Sequence, residues 1–496
     1  MSEPVATEDE TRPERFDVAV IGGGPAGMAA AVAAAGTGLS TVLLDEQAAP
    51  GGQIYRSIEK VDERGDRMRQ LLGPDYARGA DLVRRFRGST AVYRPRSAVF
   101  DLSAEGGIGL VGEGRAQWIE ARRVIIAAGA QERPVPVPGW TLPGVMGLGS
   151  AQTALKSSAM VSDVPTVIAG SGPLLYLAAA QLVDAGARIE AILDTTPRAH
   201  YLHAAPHLPR AFLAGPELRK GLHWQRLLKS SGIEFHTAVH DIRIEGERQV
   251  SGLRARAGSW DLHYDCELVL LHEGVVPNTQ LAMVAGAEHR YSRLQASWQP
   301  VLDPFGRSSL AAVLVAGDAC GIRGADIAHA AGELAGLAAS ADLGALSGDE
   351  LERRSGASRR LIARKAPLRR FLDILFRPRD EVLVPPDDAT MVCRCEEVTA
   401  GELRQIASIG CSGPNQAKAF SRAGMGPCQG RMCSLTVSHL LAAANRRDVA
   451  GTGHMRIRPP VKPVTLAELA CMQGLPPPPD SGPMLPTAPE DEDATA

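Results

Sequence analysis

Four of the eight cysteines fall into two close pairs: Cys393 and Cys395 in MVCRCEEVTAGELRQ, and Cys428 and Cys433 in GMGPCQGRMCSLTV, with 32 residues between the pairs. Cysteine is the usual protein ligand of iron-sulfur clusters, and four thiolates brought together by a folded loop satisfy the two irons of a 2Fe-2S core. Gly424, Gly426 and Gly430 around Cys428 would free backbone N–H groups to approach the sulfides. Zinc is the rival metal, but its four-cysteine sites mostly separate each pair by two residues or more, and CxC fits less comfortably. Unliganded thiols are a third reading. Cys266, Cys320, Cys411 and Cys471 are scattered and read as core or surface thiols.

A second chemistry-bearing pattern lies near the N-terminus. FDVAVIGGGPAGMAAAVAAAG places Gly22, Gly24 and Gly27 in GxGxxG spacing after an apolar run, with Pro25 and Ala26 opening an Ala-rich helix. Gly22 permits the tight turn, Gly24 lets the backbone approach a pyrophosphate, Gly27 lets the helix lie close on the strand, and the helix N-terminus offers N–H groups to the anion. The next strand, TVLLDE, ends in Asp45, eighteen residues beyond Gly27, with Glu46 following; a carboxylate there can accept hydrogen bonds from a ribose diol. NAD and FAD share this fingerprint, so it leaves the dinucleotide open.

VPTVIAGSGPLLYLAAAQLVDAGARIEAILD repeats the pattern, with Gly170 and Gly172 in the turn and Asp194 ending the second strand. Leu175 stands where the third glycine should be, so the helix is expected to sit further from the strand and a full NAD in the usual geometry is disfavoured. Asp194 favours a ribose 2'-hydroxyl over a 2'-phosphate, an inference that nearby Arg198 softens. Three occupancies stay open for this unit: NAD(H), an adenine nucleotide such as ATP held as structure, or nothing.

The elements that must position these residues are legible in outline. Strand-turn-helix units begin near Val18 and Val164, and further strands are expected at Val124 to Ala128 and Ala312 to Ala316. The expected fold is α/β: a discontinuous first unit over 15–150 and 275–345, a second over 151–274, a charged connector over 346–388 containing LRRFLDILF, a small α-rich cysteine module over 389–446 and an extension over 447–474. The acidic or Pro-rich ends, 1–14 and 475–496, read as disordered. A formal net charge of -3 without a basic stripe argues against a nucleic-acid partner. No apolar run reaches the length of a membrane span, so a cytoplasmic chain is expected, with peripheral association at the inner membrane face left open.

Three segments resemble the thioredoxin reductase and glutathione reductase superfamily: PGGQIY, with Gly51, Gly52 and Gln53; RRVIIAAGAQERPVPVPG, around Ala128 and Gly129; and VLVAGDACG, with Gly317 and Asp318. That resemblance implies FAD in the first unit, with Asp318 on the flavin's ribityl or phosphate region. The redox cysteine pair of the superfamily's disulfide reductases is missing, which excludes dithiol exchange. CRCEEVT followed by GMGPCQGRMC is similar to the bacterioferritin-associated-ferredoxin-like 2Fe-2S module.

The order of the three parts resembles the larger flavoprotein subunit of opine oxidases, hydrogen cyanide synthase and dye-linked proline or D-hydroxyproline dehydrogenases. The resemblance runs from Phe16 to about Ala470. It implies a complex in which a smaller subunit, similar to D-amino-acid or sarcosine oxidases, oxidises an amine at its C–N bond, and it allows a small third subunit. Electrons would leave to a quinone or dye-like acceptor. The alternatives are a stand-alone NADH-dependent reductase and a structural or sensory subunit. The residues themselves nominate no substrate-binding catalytic group, and His329 reads as a packed helix histidine rather than a flavin contact.

Overall fold

The computed structural model describes residues 13–63, 65–212 and 215–472; the expected tails lie outside the described residues except for Pro13 and Glu14 at the N-terminal end. The apolar run before the first glycines is the strand Glu14–Ile21, at the centre of a seven-stranded sheet. It pairs in parallel with Thr41–Leu44 and with Arg115–Ile126, and Val313–Val315 adds a further parallel strand to the latter. Val18, Ala19 and Val20 are fully buried, as the unbroken apolar lettering of a strand covered on both faces requires. Ala98–Leu102 and Gly107–Gly112 continue the sheet as an antiparallel meander.

The chain leaves this unit and returns to it because the helix Ala325–Asp342 completes its core. That helix lies against Pro25–Ala35 through glycine and alanine: a Cβ on Gly332 would stand 2.0 Å from the Ala26 carbonyl oxygen, and one on Gly336 would stand 2.4 Å from that of Ala30.

The second unit is a five-stranded parallel sheet in the order Glu234–Thr237, Ile189–Asp194, Thr166–Ser171, Leu268–Glu273, Val145–Gly147, with a three-stranded antiparallel sheet beside it. The two units are joined by the antiparallel ribbon of Ala130–Glu132 and Val275–Pro277. The connector forms the 28-residue helix Gly348–Leu375, N-capped by Ser347, and it docks on the second unit: Leu368, Phe371 and Leu375 bury against Ala204 and Ala211.

The cysteine module opens with the hairpin Met391–Cys393 and Val398–Thr399. The helix Ala400–Ser408 follows, started by a Thr399/Glu402 capping box, then Pro414–Ser421 and Ser434–Ala444. Its buried residues Val392, Leu403, Val437 and Leu440 share one core with Ile119, Ile126 and Val315 of the first unit, and Met455, Ile457 and Val461 of the following segment enter the same core. Among the described residues no helix is long and apolar enough to cross a membrane.

Candidate cofactor sites

The four motifs of the first unit meet around one helix end. Gly22 has φ +110°, and a Cβ there would stand 2.5 Å from the Ala127 carbonyl oxygen; on Gly27 it would stand 1.8 Å from that of Gly22. The loop Gly51–Gln53 folds onto this turn: Gly51 N–H donates to the Gly23 carbonyl at 2.8 Å, and a Cβ on Gly52 would stand 2.7 Å from the Gly24 Cα. Gly317 abuts Ala26, and the Asp318 carboxylate accepts the N–H groups of Arg323 and Gly324. The helix Pro25–Ala35 has Gly24 at its N-cap, no side-chain cap and no acidic residue in its first turn, so its leading N–H groups are left for an anion. Gly129, with φ +67° and open space where a Cβ would stand, follows Ala128 in the short link beyond the strand Arg115–Ile126, which ends two residues before the expected Ala128. The cradle therefore fits a dinucleotide.

Asp45 sits buried at the strand end beside this turn. It accepts from Gln47 N–H at 3.1 Å and Tyr93 Oη–H at 3.4 Å, and burial raises its pKa above the usual carboxylate value. Glu46 beside it forms an ion pair with Lys462, brought from the segment beyond the cysteine module. Lys156, on the helix Leu148–Ser158 of the second unit, is buried and donates to the Gln53 carbonyl at 3.1 Å and to Gln152 Oε1 at 3.2 Å. Burial, reinforced by Arg56, pushes its ammonium down to about 8. His329 is half-buried in the helix Ala325–Asp342 with its pKa lowered chiefly by burial.

In the second unit Gly170 and Gly172 form the same turn: a Cβ on Gly170 would stand 1.7 Å from the His272 carbonyl oxygen, just as Gly22 meets Ala127. Asp194 is buried and accepts Thr196 N–H at 2.9 Å and Tyr176 Oη–H at 2.7 Å. Beside it a cavity of about 280 Å³ is lined by Thr196, Arg198, Tyr201, Lys229 and Phe235. Leu175 is fully buried in the core beneath the helix. Where the first unit has Ala127 and Ala128, this one has His272 and Glu273. His272 Nδ1 bonds Glu132 Oε1 at 2.6 Å; Glu273 accepts from Ser171 at 3.1 Å and Thr195 at 2.7 Å, with Arg379 of the connector 3.9 Å away.

The four paired cysteines converge. Cys393 meets Cys433, both buried, and Cys395 meets Cys428 nearer the surface, with Cys395 exposed. The Cys433 thiol, followed by the N–H groups of Gly424, Glu396 and Cys395, pulls Cys393 down to about 6 against the effect of burial. Cys433 is raised by that same contact with Cys393 and by burial. Gly426 packs directly on Cys395, where a Cβ would stand 2.3 Å from the cysteine Cβ. Cys266, Cys320 and Cys411 are buried apart from this group, and Cys471 is exposed.

Lys156, Lys462 and Glu273 were not singled out by spacing, because each reaches its site from a distant element. The one signal that could have pointed to Glu273 is a carboxylate at a strand end in LHEGVVP.

Residues 16–333 match the family model of pyridine nucleotide-disulphide oxidoreductases, and residues 388–473 match that of the sarcosine oxidase A3 domain. The chain is 42% identical over 474 residues to the A subunit of opine oxidase from Rhizobium meliloti, covering 94% of this chain and 89% of that one. It is 34% identical over 475 residues to the HcnB subunit of hydrogen cyanide synthase from Pseudomonas protegens, covering 90% and 95%. A crystal structure of L-proline dehydrogenase from P. horikoshii matches in fold with TM-score 0.66 at 18% identity, over 93% of this chain and 81% of that chain. The protein therefore belongs to the pyridine nucleotide-disulphide oxidoreductase family and, within it, to the family of opine oxidase A and hydrogen cyanide synthase HcnB subunits.

Proposed function

We propose that this chain is the electron-transfer subunit of a multi-subunit dehydrogenase or oxidase. It would carry FAD on Gly22, Gly24, Pro25, Ala26, Gly27, Asp45, Glu46, Gly52, Gln53, Ala128, Gly129, Gly317 and Asp318, and a 2Fe-2S cluster on Cys393, Cys395, Cys428 and Cys433. A smaller flavoprotein subunit, resembling D-amino-acid or sarcosine oxidases, would oxidise an amino acid or amino-acid derivative at its C–N bond. When bound, the flavin supplies two-electron chemistry and the cluster one-electron chemistry, the pairing that divides a hydride equivalent for a quinone or dye-like acceptor. The observation that carries this reading is the shared core of the cysteine module and the first unit, which packs the module bearing four convergent thiols onto the unit that bears the dinucleotide cradle.

The protein's own contribution is placement. The thiols converge as two pairs, Cys393 with Cys433 and Cys395 with Cys428, an arrangement that suits the two irons of a 2Fe-2S core. For the second unit, the cavity beside Asp194, with Arg198 and Lys229 on its wall, favours an adenine nucleotide held as structure. The buried Glu273 at its glycine turn opposes the pyrophosphate of a working NAD(H).

Purification with the product of the neighbouring reading frame, followed by dye reduction over opines, D-amino acids, glycine and prolines, tests the reading. Turnover that disappears without the partner is expected, together with iron and acid-labile sulfide in this chain. Rapid bleaching of the isolated chain's flavin by NADH, without any partner, would replace this reading with a stand-alone reductase.

A further inference from the structure

The ribbon that joins the two units ends at the dinucleotide cradle on one side and at the cysteine loop on the other. Gly129 precedes the strand Ala130–Glu132, and its carbonyl accepts the N–H of Asn278, just past the partner strand Val275–Pro277. From this ribbon Gln131 Nε2–H donates to the Arg431 carbonyl at 2.9 Å, and from the helix Gln280–Val284 just beyond it Gln280 Nε2–H donates to the Gln429 carbonyl at 3.4 Å. Arg431 returns the contact: its Nε–H donates to Gln280 Oε1 at 2.9 Å, and its Nη2–H to the Val461 carbonyl at 3.1 Å. Gln429 and Arg431 lie between Cys428 and Cys433.

Two amides, one on the ribbon and one on the helix that follows it, thus grip the backbone of the loop that carries half of the cysteine set. Gln280 is buried, and Gln131 Oε1 is buried with no donor among the described residues. Buried polar atoms are normally paired, so an unpaired Oε1 says that this side chain is held for the other end of its amide. The opposite strand of the module is anchored separately, by Trp140 Nε1–H to the Met391 carbonyl at 2.8 Å and by Arg394 over the Trp140 ring.

Resting on the FAD and cluster reading, the geometry points to Gln131, Gln280 and Arg431 as positioning residues for electron transfer inside this chain. They clamp the Cys428–Cys433 loop to the ribbon that leaves Gly129 and to the helix Gln280–Val284, with Cys433 buried in the core shared with the first unit and Cys395 exposed. The route Gly129, Ala130, Gln131, Arg431, Met432, Cys433 crosses a single hydrogen bond. With both groups bound, this route would carry single electrons between a flavin held at Gly129 and a cluster held at Cys433, with no bond made or broken along the protein and the flavin's proton released to water.

The test is flash photoreduction of the flavin in the loaded full-length chain with a deazaflavin donor, following flavin reoxidation as the cluster bleaches. Gln131→Leu and Gln280→Leu are compared with Gln131→Lys, which keeps a donor of similar reach. FAD, iron and sulfide contents and the cluster's EPR signal are expected to match the parent. The transfer rate of the leucine variants falls about ten- to a hundredfold, the scale on which an ångström of misplacement slows a positioned reaction, and Gln131→Lys stays near the parent. Loaded leucine variants that transfer at the parent rate would overturn the clamp alone. A parent chain lacking iron and sulfide would overturn the cluster reading, and the clamp with it.

Discussion

The two nucleotide units share a plan down to the hydrogen bonds of one aspartate. Asp45 and Asp194 each end the second strand, each accept the N–H two residues on, and each take a tyrosine hydroxyl. They part at the mouth. The first unit has Gly27, Ala127 and Ala128 around its turn, and the second has Leu175, His272 and Glu273. Small uncharged residues leave the helix end of the first unit to an external anion. In the second, apolar bulk fills the space beneath the helix, and a buried carboxylate, tied to Ser171 and Thr195, puts negative charge where a pyrophosphate would come. Backbone architecture is thus a poor guide to occupancy: two turns built on one plan are lined by different side chains at three positions.

The largest effect should come from writing the second unit's residue into the first. In Gly27→Leu the new Cβ would stand 1.8 Å from the Gly22 carbonyl oxygen, a clash with backbone that no rotamer relieves. Overpacking of this kind costs about 1–3 kcal/mol or more, and it falls on the turn itself. We expect the purified chain to lose most of its FAD absorbance while retaining iron. A variant that keeps stoichiometric FAD would break the comparison at its root.

The reverse exchange separates stability from binding. Leu175 is fully buried against its neighbours, so Leu175→Gly leaves a cavity and puts glycine in a helix, at a combined cost of about 3–5 kcal/mol. Thermal unfolding should report that loss of the second unit's stability, with NADH binding by calorimetry unimproved. If this variant instead bound NADH tightly, Leu175 alone would be the barrier, and Glu273 would have no part in it.

The cradle and the thiols were legible because each needs residue types at fixed spacing: glycines for a close-packed turn, an acid at a strand end, thiols in pairs. FAD rather than NAD came from resemblance in PGGQIY and VLVAGDACG, not from periodicity. What stayed hidden is reached across the fold. Gln131 and Gln280 are ordinary polar letters until the fold brings both to Arg431, and Lys462 lies 416 residues from the Glu46 it meets. The connector read as charged and amphipathic, which is right for a helix with one buried face, but nothing in LRRFLDILF names Ala204 and Ala211 as the surface it covers. The distance between Gly170 and Gly172 and a third glycine that never comes was visible; the carboxylate that takes over the mouth was not.

A smaller effect is expected from neutralising that carboxylate. Glu273→Gln keeps the shape and removes a buried negative charge from the turn; its amide oxygen still accepts one of the two hydroxyls of Ser171 and Thr195, and its N–H donates to the other's oxygen. Like charges forced together in an interface cost several kcal/mol, but Arg379 already offsets part of this one from 3.9 Å. Dinucleotide affinity of the second unit should rise about tenfold, seen by calorimetry with NADH. Unchanged affinity would place the obstruction in the connector rather than in Glu273.

The smallest effect concerns how each unit treats the residue after its ribose-side aspartate. In the second unit this is Thr195, tied inward to Glu273; in the first it is Glu46, tied outward to Lys462 of the C-terminal segment. Val461 N–H donates to the Phe100 carbonyl at 2.8 Å and lays that segment along the first unit. Burial lowers the Lys462 pKa, with Asp45 opposing, while Glu46 remains half exposed, so the pair is screened by solvent. Lys462→Met preserves the packed stem and removes the charge. Pairs of this exposure are worth about 0.2–1 kcal/mol, so FAD should bind about twofold more weakly at low ionic strength, the difference vanishing as salt screens the parent's pair. A tenfold loss that salt does not erase would set the ammonium on the dinucleotide itself and make the C-terminal segment a wall of the first unit's site, one the second unit has no counterpart for.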